Sequence, residues 1–295
     1  ERMQAVAIAT QLDYYYFQGT NEDSVIHYTN KVKEFAKATH EPKYYYFAWA
    51  NRLITYYLKT SRTNIALYEV QNMLKEAQEE DDKTGLSRCY NIMSQIYTIK
   101  RFDSMAFEWR LKEIELTEKY KIENYNISQT YAQIANYYIN QKKQKEALAA
   151  VEKAIATANS STQQISAKLE FVNYYSKFGD FQAAEKLLKE CQAAFEQDKR
   201  LESIKKRLYN IECLYYQQTK QYQKALEAAK MQEKEERRLS ESILSSIHYR
   251  TQGEIYQKMG NMNLAVKYLQ MYINTDDSLK IANEQLASSE FATLL

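Results

Sequence analysis

A tyrosine returns along this chain at an almost fixed interval, and that recurrence narrows the possible folds more than any other feature. Tyr16, Tyr57, Tyr97, Tyr138, Tyr175, Tyr216 and Tyr256 stand 41, 40, 41, 37, 41 and 40 residues apart. Nine residues after each comes a small side chain: Val25, Ala66, Ala106, Ala147, Ala184, Ala225 and Ala265. With 27 tyrosines in 295 residues one regular series can arise by chance, but a second series locked to the first makes chance improbable. Self-similarity at such a period marks supersecondary units that bury their apolar faces only by stacking on one another. One proline and five glycines leave little of the turn chemistry that closely spaced strands need, so the units are helical.

The helix geometry agrees with this. At 3.6 residues per turn, the positions three, four and seven before an anchor tyrosine fall within about 60° of it. Ile54, Leu53 and Ala50 occupy them in the second unit, Ala135, Ile134 and Tyr131 in the fourth, Gly253, Gln252 and Tyr249 in the seventh. Most are small or apolar, which makes the anchor face a core face. Gly19, Gly179 and Gly260 follow three of the anchors, where a left-handed backbone would end a first helix. The second helix then carries its own stripe: Ala147, Val151 and Ala154 in the fourth unit, Ala184, Leu188 and Cys191 in the fifth, Ala265, Leu269 and Tyr272 in the seventh. The expected fold is all-α, a right-handed solenoid of about seven helical hairpins.

This pattern resembles the tetratricopeptide repeat, with Tyr131 to Ala154 and Tyr249 to Tyr272 matching best and the likeness extending from about Ala5 to Tyr272. It departs in its period, near 40 where the family repeat has about 34, and in lacking the proline that usually closes each repeat. Longer helices account for both. In the third hairpin Arg110 and Glu113 occupy expected core places, so Leu111 and Ile114 are expected to pack instead. Polar breaks such as Ala158 to Thr162 recur only between hairpins, which points to one repeat domain over 1–275. Leu279, Ala282, Leu286 and Phe291 recur with helical spacing, so a capping and connecting helix is expected over 276–295, starting near Asp277 with Asp276 or Thr275 as its N-cap.

Catalytic chemistry finds little support. His27, His40 and His248 fall in different hairpins with no Cys or His at metal-ligand spacing, and no metal or cofactor is expected. Cys89, Cys191 and Cys213 form no CxxC motif; Cys191 and Cys213 read as small buried hydrophobes that lie near each other, with a redox pair as the alternative. Glycine-rich phosphate loops and nucleophile elbows are missing from the sequence. The acidic run Glu79 to Asp82 lies between hairpins as a solvated stretch. A formal charge of +2 gives no electrostatic case for nucleic acid. The chain is not expected to be an enzyme.

Binding must then come from surface shape. The positions six and two before each anchor, and one and two after it, lie roughly 100° to 200° around the helix from the tyrosine. On the concave side that first helices line in such solenoids they place Asn51, Asn91, Gln95, Asn136, Asn140, Asn173 and Asn210, with Arg207 at one side able to take an anionic group. Asparagine is a poor helix former, so its repetition on one face carries a propensity cost. Two readings stand: an ordinary polar solvent face, or a ladder of amides that grips a peptide or protein backbone or a polyhydroxy ligand.

Two further resemblances bear on context. Inner-face asparagines are similar to those of cytoplasmic peptide-pheromone receptors of the Rap type, although no helical effector bundle precedes the repeats here. The stretch Tyr268 to Leu279, with its Asp-Asp-Ser-Leu, looks like the end of the repeat region in Bacteroidetes-type membrane-anchored sensor histidine kinases and transcriptional regulators. That second resemblance is preferred because it also explains a repeat segment cut from a longer chain. It implies a periplasmic sensor domain, a membrane anchor outside the chain, and either a monomer or a homodimer; a cytoplasmic receptor or assembly scaffold is the alternative.

Overall fold

The computed structural model describes residues 2–19, 21–239 and 246–294, and side-chain surroundings are described for these except at positions 2, 42–43, 236–239, 279, 282–283 and 286–294. Among them the only regular structure is helical. Seven hairpins follow in order. They are α1 (Arg2–Gln18) with α2 (Glu22–Ala38); α3 (Pro42–Ala48), a π-helical turn (Trp49–Ile54) and α4 (Thr55–Lys59) with α5 (Thr63–Glu79); α6 (Lys83–Ile99) with α7 (Asp103–Tyr120). Then come α8 (Ile127–Asn140) with α9 (Gln144–Ala156), α10 (Ser161–Phe178) with α11 (Phe181–Gln197), α12 (Lys205–Gln218) with α13 (Tyr222–Leu239), and α14 (Ser246–Lys258) with α15 (Met262–Leu294). The hairpins fall into two compact units, Glu1–Glu123 together with Ala282–Leu295, and Asn124–Ile281.

The small-residue series is the seam of every hairpin. Val25, Ala66, Ala106, Ala147, Ala184 and Ala225 have no exposed surface, and Ala265 has 2%. Only a side chain of this size lets the second helix lie close against the first. The anchor tyrosines divide. Tyr16, Tyr57 and Tyr256 are buried, whereas Tyr97, Tyr138, Tyr175 and Tyr216 are half-buried at the edge of the core. At Ile96, Tyr174 and Tyr215 the preceding residue carries the burial instead. A phenol suits such an edge, because its ring packs while its hydroxyl reaches water.

Every hairpin turn uses one backbone device. Three residues after Tyr16 and four after each later anchor the backbone turns left-handed, at Gly19, Ser61, Arg101, Lys142, Gly179, Lys220 and Gly260. From Tyr57 onward the anchor's carbonyl accepts the amide five residues ahead at 2.8–2.9 Å, which closes the first helix and aims the second. Hairpins one, five and seven combine glycine there with Asn21, Asp180 or Asn261, whose side chains cap the second helix. Hairpins two, three and four have neither glycine nor a side-chain cap, since Arg62, Phe102 and Lys143 stand at the cap position. Installing the Gly-Asp pair of hairpin five in hairpin four, as Lys142→Gly with Lys143→Asp, should therefore stabilise. About 1 kcal/mol comes from the cap and a smaller gain from relief of the left-handed lysine. A thermal melt should show the midpoint rising by a few degrees.

The third hairpin is built differently from expectation. Arg110 and Glu113 are themselves buried, at 7% and 1% exposure, and Ile114 packs beside them while Leu111 is exposed. Polar groups facing them on α6 make this possible: Arg110 donates to Thr98 Oγ1 at 2.6 Å, and Asn91 Nδ2 donates to both Glu113 oxygens at 3.1 Å. The break expected near Thr275 is also missing, because α15 runs through it. Asp276 does not cap its own helix. It accepts from Ser246 Oγ at 3.2 Å and pairs with Lys280 one turn later at 3.4 Å. The packing roles expected for Leu279, Ala282, Leu286 and Phe291 lie outside the described residues.

Candidate ligand-binding faces

In the first unit two of the three side-chain amides expected in a groove, those of Asn91 and Gln95, are bonded to the protein itself. Asn91, half-buried, accepts from Gln95 Nε2 at 2.7 Å while giving its own amino group to Glu113, so Gln95 is the exposed end of a Gln95–Asn91–Glu113 chain. Glu113 also acts on two guanidinium groups. Burial pushes Arg88 and Arg110 below the usual arginine range, and the Glu113 charge opposes that shift in both. Asn51 lies in the π-helical turn, half-buried, and its backbone carbonyl accepts from Arg52 Nη1 at 3.1 Å. That wide turn places Trp49, Ala50, Leu53 and Ile54 in the core. Arg52 pairs with Asp13, and its guanidinium lies 5.0 Å from the Tyr16 ring and 5.2 Å from the Phe47 ring.

In the second unit the expected residues separate into three kinds. Asn140 Nδ2 donates to Asn136 Oδ1 at 2.9 Å, a pair at the surface of α8 that leaves the Asn136 amino group and the Asn140 carbonyl outside their mutual bond. Asn173 was expected to be exposed but is 8% exposed, and it donates to Glu170 at 3.4 Å. Arg207 donates Nη2 to the same carboxylate at 2.6 Å, and Glu170 is 3% exposed. Asn210 is half-buried. The cause of Asn173's burial is visible in the packing: α10 lies against both α8 and α12, so consecutive first helices cover part of the face expected to be open. Ala132, Leu169, Ile139 and Ser176, at equivalent offsets, are buried for the same reason.

A cavity of about 260 Å³ opens between these first helices, lined by Ser128, Gln129 and Ala132 of α8, Thr162 to Ala167 in part of α10, and Ser203 to Arg207 in part. Sequence reasoning picked Arg207 but not the cavity. The signal available was the Lys206-Arg207 step facing hydroxyl and amide residues early in two neighbouring first helices. The cysteines are buried and free, and burial pushes the Cys89 thiol up to about 12 and those of Cys191 and Cys213 to about 11. Cys191 and Cys213 sit in separate core clusters, one between α10, α11 and α12 and one between α12, α13, α14 and α15. Among the described residues no helix is long and apolar enough to cross a membrane.

With hairpins of this geometry the fold is of the tetratricopeptide-repeat type. Neither a family model nor a curated protein matches the sequence. Solved structures do match in fold. The apo form of RapI is 15% identical over 91% of this chain and 98% of that one, with a TM-score of 0.64. NprR in complex with its cognate peptide NprX is 12% identical over 90% and 77%, with a TM-score of 0.61. A tetratricopeptide repeat protein from Parabacteroides merdae is 13% identical over 97% and 99%, with a TM-score of 0.56.

Proposed function

We propose that this chain is a non-catalytic binding domain that takes a peptide or an extended protein segment along the amide-bearing surface of its first helix α8. The observation that carries the proposal is the Asn136–Asn140 pair. It occupies the surface of α8, secures no neighbouring element, and offers one donor and one acceptor side by side, the complement of a peptide unit. Asparagine there costs helix propensity without packing benefit, which a binding role offsets. NprR, of like fold, is solved with a peptide bound. The wider setting we propose is the input region of a signalling protein, extracytoplasmic, anchored by a segment outside this chain, and monomeric or homodimeric. Its support is the resemblance of the Asp-Asp-Ser-Leu stretch. A gene encoding neither an export signal upstream nor a membrane span downstream would remove that setting while leaving the binding role intact.

Asn136 and Asn173 separate binding from folding. Against a peptide obtained by screening the purified chain, Asn136→Ala should weaken binding by about 1–3 kcal/mol, because a ligand amide loses its partner. The melting temperature should stay level or rise, since alanine is the better helix former. Asn173→Ala should instead lower the melting temperature, because it withdraws a donor from buried Glu170. Binding to Asn136→Ala equal to the parent's would exclude the α8 face as the site.

A further inference from the structure

The formal charge of +2 hides an uneven distribution. From each anchor tyrosine to its seam residue the chain passes through the turn of a hairpin, and in the second unit these stretches are 138–147, 175–184, 216–225 and 256–265. Together they hold seven lysines, no arginine and two acids, Glu146 and Asp180, an excess of five positive charges. That excess is larger than the charge of the whole chain.

These turns lie side by side. At the starts of the first helices Gln163 Nε2 donates to the Tyr125 carbonyl at 2.8 Å and Ser161 Oγ bonds Asp198 at 3.2 Å, so neighbouring first helices run in the same direction and end on the same edge. Lys258 of hairpin seven donates to Gln217 Oε1 of hairpin six at 3.0 Å, which ties two of the turns together. All seven lysines are exposed, and among the described residues none of them forms an ion pair. Asp180 is used as the cap of α11, and the next acid along, Glu185, is held by Lys189 at 2.7 Å.

Local stability does not account for the lysines. Lys177 and Lys258 stand in the last turns of α10 and α14, where a cation suits the helix dipole, but Lys143, Lys145 and Lys224 stand at the cap or first turn of α9 and α13, where it does not. Lys142 and Lys220 hold left-handed backbone, with φ of 58° and 60°, where hairpins five and seven have glycine. Charge stands at positions that folding alone would fill otherwise.

Apolar side chains share the edge. Phe181 at the first position of α11, and Met259 and Met262 on either side of the turn in hairpin seven, are exposed. Arginine grips a single phosphate or carboxylate as a fork, whereas lysine is a point charge on a flexible stem, suited to a diffuse field. A nucleic-acid backbone offers the two methionines nothing apolar to enter, while the boundary between lipid headgroups and acyl chains takes both kinds of side chain.

We infer that the hairpin-turn edge of the second unit docks on an anionic lipid surface, its lysines among the headgroups and Phe181, Met259 and Met262 at the acyl boundary. Neither the amide face of α8 nor an anchor outside the chain is needed for this.

Sedimentation of the whole chain with vesicles tests it. Equimolar phosphatidylglycerol and phosphatidylcholine should retain the chain, pure phosphatidylcholine should not, and raised salt should release it. Each lysine near such a surface contributes about fivefold to binding, so Lys142→Gln with Lys220→Gln should weaken it by about twentyfold. Lys199→Gln with Lys230→Gln removes the same charge from exposed positions between hairpins five and six and midway along α13, and should change binding by less than about twofold. The Lys142→Gly, Lys143→Asp variant should melt higher yet bind more weakly, two readings that a structural role would not move in opposite directions. Phe181→Ser with Met262→Ser should weaken binding several-fold without altering its salt dependence. Retention by both vesicle types or by neither would overturn the inference, as would equal losses in the two glutamine pairs. Unchanged binding in the serine pair would also overturn it, since the edge would then be reading charge alone, as it would on a nucleic acid.

Discussion

Arg207→Ala should destabilise the second unit by about 3 kcal/mol, the lower end of the cost of breaking a buried ion pair. The loss arises at Glu170. Its carboxylate is 3% exposed and accepts from Arg207 at 2.6 Å and from Asn173 at 3.4 Å, so the variant keeps only the longer bond. Arg207 is itself a quarter exposed, which lets water reach the vacated space and places the cost at that lower end. Replacing both partners by apolar residues, as Glu170→Leu with Arg207→Met, should recover most of the loss, because no charge is then left in the core. Hydrogen exchange in α10 and α12 reads the effect locally. A loss below about 1 kcal/mol in the single variant would mean that Glu170 is hydrated once Arg207 is gone.

Gly253→Ala carries the second large effect, and its sign is informative. Alanine is the better helix former by about 1 kcal/mol, so on propensity alone the substitution would stabilise α14. The added methyl, however, would lie 2.8 Å from Leu269 Cγ and 3.3 Å from the Leu269 backbone nitrogen on α15. Overpacking of this kind costs roughly 1–3 kcal/mol, and the backbone contact limits how far α15 can yield, so the net result should be destabilising. Gly253→Val should cost more still. Leu269→Ala should be less damaging in the Gly253→Ala background than in the parent, since the two changes exchange volume across one contact. A raised melting temperature in Gly253→Ala would show that the hairpin opens without penalty.

Gly253 was legible as a core position from its distance to Tyr256, and a second offset, nine residues after each anchor, located all seven small seam residues. What spacing cannot give is the partner. Arg110 and Glu113 look misplaced in α7 until Asn91 and Thr98 are seen across from them, because a buried charge is decided by a pair and a sequence lists one member at a time. Asn173 shows the same limit from the other side. Its helical angle matches that of Asn136, yet α12 and Glu170 cover it, while Asn136 stays half-buried at the surface. Three of the seven left-handed turns announce themselves by glycine; Ser61, Arg101, Lys142 and Lys220 carry the same backbone without any sequence mark. At the C-terminus Asp276 looked like a cap because acids before a helix usually are, but Ser246 and Lys280 occupy it and nothing in Thr275 to Ser278 breaks the helix.

The three thiols have a practical consequence. Cys89 and Cys191 have no exposed surface and Cys213 has 2%, and burial raises all three well above the pH at which thiol reagents are used. Since the thiolate is the reacting species, the folded chain is chemically silent toward maleimides without any cysteine being removed. A single cysteine introduced at the surface of α8, beside Asn140, then becomes the one addressable atom on a native background. A fluorophore or spin label placed there reports directly on whatever comes to lie along that helix.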